Sequence, residues 1–223
     1  MQSLSRTAAL VGAGLVALAA GVQAQGLGED SFKWYFGGQA GITIFETPTQ
    51  TRGAVFTAGG HFLITAKRTG LIVAVEEGVK TNQTSSYLDA SAPGGVRQVV
   101  FNDIRKYSFT LVAFPFKTHV QPYLGVGFGI LQTANEYPQG TFATQAEADN
   151  AKETANSLGS YGFGSFTAGV QARAGTTFVI FGQYQITTSP PSGKLFTGPT
   201  HQLMGGLRIG LGSSREEVTG GGY

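Results

Sequence analysis

The stretch QPYLGVGFGILQT, residues 121–133, is the part of the chain that decides its fold class. Glycine stands at Gly125, Gly127 and Gly129, and a large apolar side chain occupies each position between them. Because the side chains of a β-strand alternate between its two faces, this strand has one apolar face and one almost bare face. A water-soluble sheet usually turns polar residues to solvent, and this strand has none to turn. We therefore expect its apolar face to meet an apolar environment and its glycine face to meet a space with little room.

The composition of the chain limits the classes of protein to which it can belong. The chain has 223 residues, enough for one ordinary domain, and only 13% of them are charged, against about 25% in soluble proteins. Glycine is abundant, with 34 residues, and cysteine is absent, which excludes disulfides, thiolate metal sites and thiol nucleophiles. The formal charge of +2 is too small to indicate a nucleic-acid partner.

The first residues read as an export signal. Arg6 precedes an apolar run over residues 8–22, and Val22-Gln23-Ala24 has the pattern of a cleavage site before Gln25. The alternative of a membrane anchor is disfavoured, because this apolar run is too short, is rich in alanine and glycine and is followed by the cleavage site. No later stretch approaches the roughly 20 apolar residues that a spanning helix needs. An exported chain without a spanning helix can cross a membrane only as a closed β-barrel.

Alternating hydrophobicity predicts eight strands, most of them long enough to cross a membrane at a tilt. The connections after the second, fourth and sixth strands are short, whereas those after the odd strands are longer and more polar, beginning with TPTQTR at residues 47–52. Transmembrane barrels show this asymmetry, with the short turns in the periplasm. The predicted strands cover residues 33–46, 52–65, 70–80, 105–116, 122–133, 161–173, 176–187 and 200–211.

The two faces of the last strands separate apolar residues from polar residues and glycine. This alternation is typical of a barrel with lipid outside and a polar interior. The fourth strand is less regular, because both of its faces carry apolar residues. The predicted lipid-facing residues are Leu124, Val126, Phe128, Ile130, Phe178, Ile180, Leu207 and Ile209.

The segments PYLGVGFG, FTAGVQAR, FGQYQIT and HQLMGGLRIGLG resemble strands five to eight of the eight-stranded bacterial outer-membrane barrels of the OmpA, OmpX and OmpW kind. The resemblance implies an all-β, antiparallel up-and-down barrel in the outer membrane, inserted by the barrel-assembly machinery and surrounded by lipid and lipopolysaccharide as a monomer. Such barrels commonly end in an aromatic residue that the assembly machinery reads, and only Tyr223 could supply it here. The expected organisation is a signal peptide at 1–24, a barrel at 25–212 and a tail at 213–223.

Four ionisable residues are predicted to face the interior: His61, Glu76, Arg173 and Arg208. A buried charge is costly unless it is paired, so we expect a bridge from Glu76 to Arg208 or to Arg173. Such a bridge would form either a structural plug or a gate.

No catalytic constellation is visible in the sequence. His61, His119 and His201 fall on different elements without metal-ligand spacing, and no histidine and serine stand together as a nucleophile and base. We expect no enzyme activity, cofactor or metal. Residues 144–159 could form a short helix, but their lack of apolar periodicity favours a solvated loop. Three functions remain: a structural or interaction barrel that presents exposed loops, a narrow pore or lateral route for small molecules, and a secreted soluble barrel that encloses a ligand.

Overall fold

A computed structural model of the chain describes residues 32–79, 82–116, 119–174 and 177–213. Within these ranges the chain forms nine β-strands, one α-helix and a short 3₁₀ turn at Pro93–Gly95. The elements are β1 (Lys33–Thr47), β2 (Gln50–Ala66), β3 (Thr69–Gly78), β4 (Gln83–Leu88), β5 (Val96–Ala113), β6 (Val120–Pro138), α1 (Gln145–Leu158), β7 (Ser160–Ala174), β8 (Phe178–Thr187) and β9 (His201–Ser213).

Eight of the strands close into a barrel in which every neighbouring pair is antiparallel. Neighbours in the chain are neighbours in the barrel, β1 also pairs with β9, and β3 also pairs with β5. Each barrel strand therefore bonds its backbone to a strand on both sides, which is the condition for β-structure to exist in lipid. The predicted eight-stranded antiparallel up-and-down barrel is confirmed.

One strand, β4, is not among the eight that close the barrel, and it lies where the sequence predicts a loop. It pairs with the first residues of β5, and its pairing of Gln83 with Phe101 follows the pairing of Gly78 with Ile104 between β3 and β5. β4 thus continues the line of β3 after a short break, and the β4–β5 hairpin rises beyond the barrel. The interior face of β5 passes from Phe101 to Ile104, a step of three residues, and from Ile104 onward it alternates regularly. The apolar residues on the interior face of the predicted strand 105–116 are Val112 and Phe114, which pack in a buried apolar cluster.

The two ends of the barrel differ in their connections. We call the end with the β2–β3, β5–β6 and β7–β8 connections the turn end, and the opposite one the loop end. One expectation for the loop end is wrong. The predicted loop TPTQTR is a two-residue turn, because Thr47 already pairs with Gln50 and accepts a hydrogen bond from its backbone N–H at 3.1 Å.

A helix occupies the segment that was expected to be a solvated loop. The Thr144 hydroxyl accepts a hydrogen bond from the Glu147 backbone N–H at 3.2 Å and so caps the first turn of α1. The Glu147 carboxylate accepts a hydrogen bond from the Ala143 N–H at 2.8 Å, which resembles a capping box. The buried side chains of α1 are Ala151 and Ala155, whose small size hides the apolar periodicity. No helix in the described ranges has the length and hydropathy of a membrane span.

The glycines of β6 face the interior, and neighbouring strands fill the space above them. Gly129 lies in register between Ser108 of β5 and Phe163 of β7. A Cβ atom on Gly129 would overlap the Tyr107 carbonyl oxygen and the Phe163 ring. Glycine is therefore required here for close packing.

The outer wall is apolar. All eight residues predicted to face lipid are exposed on it, from Val126 and Ile209, each 46% exposed, to Phe128 at 65%. Toward the loop end this wall gives way to charged and polar side chains, as in the exposed ion pair between Arg105 and Glu77 at 2.9 Å. An apolar surface this extensive needs an apolar solvent around it.

Candidate functional site

The middle of the interior is occupied by a buried ion pair. Lys106 Nζ lies 2.6 Å from Glu76 Oε2, and both side chains are buried. Gln39 Nε2 donates to Glu76 Oε1 at 2.5 Å, and Lys106 also donates to the side-chain oxygens of Gln185, at 2.6 Å, and Gln202. These hydrogen bonds complete the pair, because a buried charge needs both a counter-charge and bonded neighbours.

The expected partner of Glu76 was wrong. Glu76 and Lys106 are directly opposite each other in the β3–β5 register, so the lysine reaches the carboxylate before either expected arginine. The sequence did contain a signal for this lysine. Lys106 and Ser108 alternate with Tyr107 and Phe109, which places the polar pair on the interior face.

Arg208 lies in a separate layer nearer the turn end. Its Nε donates to His61 Nε2 at 2.8 Å, and its Nη1 donates to Gln171 Oε1 at 2.6 Å. The guanidinium carbon stands 3.8 Å from the centre of the Phe181 ring, within the range of a cation–π interaction. Arg173 lies at the end of β7 and is exposed. Of the four predicted interior residues, the structure therefore brings together His61 and Arg208, and it leaves Glu76 and Arg173 outside that contact.

Aromatic rings close the interior toward the loop end. Phe196 enters from the connection between β8 and β9, and it is only 1% exposed. Its ring centre lies 5.3 Å from that of Phe45, 5.6 Å from that of Phe101 and 5.8 Å from that of Tyr161. These four rings form an aromatic plug across the barrel.

Above the plug, three connections pack against one another, and we call them the cap: β4 with residues 96–101 of β5, α1, and residues 188–200. Leu195 is fully buried in the cap with Tyr87, Val99 and Ala155. Its backbone is held from two sides. The Ser85 hydroxyl donates to the Leu195 carbonyl at 2.8 Å, and the Leu195 N–H donates to the Leu158 carbonyl at 3.2 Å.

Arg97 joins the β4–β5 hairpin to the segment around α1. It is buried and donates to Asp89, to Ser91 Oγ at 3.2 Å and to Glu147 Oε1 at 3.2 Å. Its guanidinium also stands 4.4 Å from the centre of the Phe142 ring. Hydrogen bonds from Ser91 and from the Arg97 guanidinium hold the pKa of Asp89 at about 2, below its ordinary value. Sequence reasoning missed this residue because it lies in a predicted loop.

The described residues contain little that could perform chemistry. Within the described ranges, no group of three His, Asp or Glu side chains could hold a metal ion. His119 is exposed at the turn end, and His201 bonds the Tyr184 hydroxyl at 2.5 Å on the outer wall. Beside Glu76, Thr110 and Gln183 is a cavity of about 10 Å³, enough for about one water molecule.

The comparisons bear on the fold. No family model and no curated protein matches the sequence. The crystal structure of Neisserial surface protein A (NspA) is similar, with a TM-score of 0.53 and 10% identity over 79% of this chain and 96% of that chain. The N-terminal β-barrel domain of Pseudomonas aeruginosa OprF has a TM-score of 0.45 and 10% identity over 81% and 98%. Ail of Yersinia pestis has a TM-score of 0.41 and 14% identity over 82% and 99%.

Proposed function

We infer the function of the chain from its fold, which is that of the eight-stranded outer-membrane barrels. The closed hydrogen-bonding ring, the polar interior and the apolar outer wall together make it a membrane barrel, and its location is the outer membrane. The predicted signal peptide at 1–24 and Tyr223 lie outside the described residues. The predicted tail at 213–223 also lies outside them, except for Ser213 at the end of β9.

We propose that this protein is a non-conducting barrel whose role is to hold a folded cap at the cell surface for contact with other molecules. The observation that carries the proposal is the insertion of Leu195 and Phe196 into the loop end, where both side chains are buried. Long polar loops over a pore would leave such side chains in water. Here they tie three connections into one packed unit.

The packing of the whole interior supports the same role. The aromatic plug lies at the loop end, the Glu76–Lys106 pair with its glutamines lies in the middle, and an apolar cluster that includes Leu63, Phe114 and Tyr123 lies at the turn end. An eight-stranded barrel has an interior only wide enough for its own side chains. To pass from one end of the barrel to the other, a solute would have to displace all three layers.

The cap also offers an outward surface. Leu88 is 86% exposed at the tip of the β4–β5 hairpin, opposite Val96 in register, and Tyr137 is exposed on the neighbouring strand β6. These side chains project above the ion pair of Arg105 with Glu77 and therefore above the lipid. We propose that the barrel acts as a monomer, inserted by the barrel-assembly machinery, with lipid around its wall and lipopolysaccharide at its loop-end rim.

Planar-bilayer recording tests the proposal. We expect the wild-type protein and Phe196→Ala to be silent, because the interior pair still blocks the barrel after the plug is opened. The double variant Phe196→Ala with Lys106→Met disrupts both the aromatic plug and the interior pair. It is the sensitised control, because it should conduct ions if any of the three proteins does. Stable unitary currents from the wild-type protein would overturn the proposal and favour the narrow pore.

A further inference from the structure

Arg208 is a buried cation without a counter-charge. The side chain is 1% exposed, and its hydrogen-bonding partners His61 and Gln171 carry no carboxylate. Of the two buried carboxylates among the described residues, Glu76 is already neutralised by Lys106, and Glu136 lies toward the loop end, where it accepts a hydrogen bond from Thr133. Arginine does not lose its proton in proteins, so the charge cannot be removed by titration. A buried charge of this kind is costly unless an opposite charge is supplied.

The atoms left over in this layer are hydrogen-bond donors. Arg208 Nη2 is buried and makes no hydrogen bond of normal geometry, although the guanidinium interacts with the Tyr123 hydroxyl. His61 Nδ1 is also buried and has no hydrogen-bonding partner among the described residues. Because His61 Nε2 accepts a hydrogen bond from Arg208, the neutral imidazole carries its proton on Nδ1. Both leftover atoms therefore need an acceptor.

The turn end, which is closest to this layer, is basic. Lys33 begins β1, Lys67 and Arg68 form the β2–β3 turn, and Arg173 lies near the end of β7. Arg173 is opposite Val179 in register, and Val179 is opposite Arg208, so the two arginines lie two strands apart on one line of paired residues. In the described ranges, the acidic residues other than Glu76 lie toward the loop end. A mouth with one sign of charge attracts the opposite ion.

We propose that the turn-end mouth binds a small oxyanion of the phosphate or carboxylate class, with the Arg208 guanidinium as its main ligand. In the structure the Tyr35 ring covers Gly210, which lies on the interior face between Arg208 and the mouth: a Cβ atom on Gly210 would stand 3.5 Å from this ring and from Thr177 O. The anion enters past Gly210 when the Tyr35 ring moves aside. Arg173 lies at the mouth and steers the anion inward.

Calorimetric titration of the purified full-length barrel in a neutral, phosphate-free detergent tests the site, with sodium phosphate, sodium acetate and sodium chloride at equal ionic strength. We expect saturable binding of one phosphate per chain. Arg208→Met should weaken binding by about tenfold or more, because the charge-assisted bonds are lost. Arg173→Met should weaken it less. The matched control is Arg105→Met, which removes an exposed arginine at the other end and should leave binding unchanged.

A second substitution keeps the test decisive if Arg208→Met does not fold. Gly210→Val narrows the entrance and leaves Arg208 in place, and it should also weaken phosphate binding. Repeating the titration in nanodiscs of phosphatidylglycerol and of phosphatidylcholine distinguishes a lipid headgroup from a free anion as the ligand. If the site binds an anionic headgroup, phosphate binding should be weaker in phosphatidylglycerol than in phosphatidylcholine, because the headgroup competes with phosphate. Absence of saturable binding of either oxyanion by the wild-type barrel overturns the proposal, as does an Arg208→Met or Gly210→Val barrel that binds like the wild type.

Discussion

Lys106 shows what one residue does inside a narrow barrel. Its ammonium group is surrounded by Glu76 and by the amide oxygens of Gln185 and Gln202, so the buried charge is paired and bonded. Removing one member of such a pair leaves the other as a buried, uncompensated ion, whereas removing both leaves neutral neighbours.

We expect Lys106→Met to lower the free energy of unfolding by about 3–5 kcal/mol, because Glu76 would be buried without its counter-charge. The double variant with Glu76→Gln should be less destabilised than the sum of the single variants. Urea titrations of the four proteins in lipid vesicles give the coupling energy. The companion cycle of Glu76→Gln with Arg208→Met should show coupling near zero, and strong coupling there would mean that the partner of Glu76 is Arg208 after all.

Asp89 makes the cap sensitive to acid. Its pKa is lowered to about 2 in the folded cap from an ordinary value of 3.8. The ionised carboxylate therefore stabilises the cap fully above the ordinary value, and this contribution is lost as the pH falls toward the lowered one.

We expect hydrogen exchange at the backbone amides of Tyr87 and Arg97, corrected for the intrinsic rate, to accelerate between about pH 4 and pH 2. Asp89→Asn should remove this step. Asp149→Asn is the control, because Asp149 accepts a hydrogen bond from Gln145 on the exposed surface of α1 and does not contact Arg97. A step of equal size in the Asp89→Asn protein would contradict the assignment.

At the scale of an element, β6 and β8 show that glycine has two different uses in this barrel. Gly129 faces the interior, where a Cβ atom would overlap its neighbours. Gly182 of β8 faces outward, and a Cβ atom there would meet no atom within 4 Å. The same residue type is therefore required at one site and optional at the other.

We expect Gly129→Ala to destabilise the folded barrel by about 1–3 kcal/mol, as overpacking does in other protein interiors. Gly182→Ala should be neutral or slightly stabilising, since alanine restricts the unfolded chain and fits a strand. Urea unfolding of both variants from vesicles provides the comparison. Equal effects would show that β6 does not pack as described.

Sequence reasoning found the strands but missed the cap for a physical reason. Alternation of side chains is a local property, so residues 121–133 reveal a strand and its two faces without knowledge of its neighbours. Leu195 and Phe196 are apolar residues in a polar connection. Nothing near them in the chain shows that Val99 will pack on Leu195 or that Phe45 and Phe101 will surround Phe196. The same limit applies to Lys106, whose pairing depends on the register between β3 and β5.

At the scale of the whole molecule, the outer wall determines where the protein is stable. Ile180 lies on the outer face of β8 and is 54% exposed, whereas Ile186 lies on the same face near the loop end. The two residues therefore sample different depths of the membrane on a single strand.

We expect Ile180→Arg to destabilise the inserted barrel by about 2–4 kcal/mol and Ile186→Arg by about 0–1 kcal/mol, because the cost of a charge depends on its depth in the bilayer. Folding titrations into vesicles measure both. An arginine at Gln183, on the interior face of β8, would not be a suitable control, because Gln183 accepts a hydrogen bond from the buried Tyr123 hydroxyl at 2.8 Å. Equal tolerance of both arginines would show that this wall does not face lipid.

The pairing of β1 with β9 has a consequence for how the protein is made. Lys33 is opposite Ser213, and Gln202 donates to Thr43 at 3.2 Å across a separation of 159 residues. Contacts so distant in sequence form slowly, because the entropy of closing the intervening chain is lost first. The outer edge of the first strand therefore lacks its hydrogen-bonding partner until the last strand has left the ribosome and crossed the inner membrane. During that interval the unpaired edge and the apolar face of the chain are exposed, which favours aggregation.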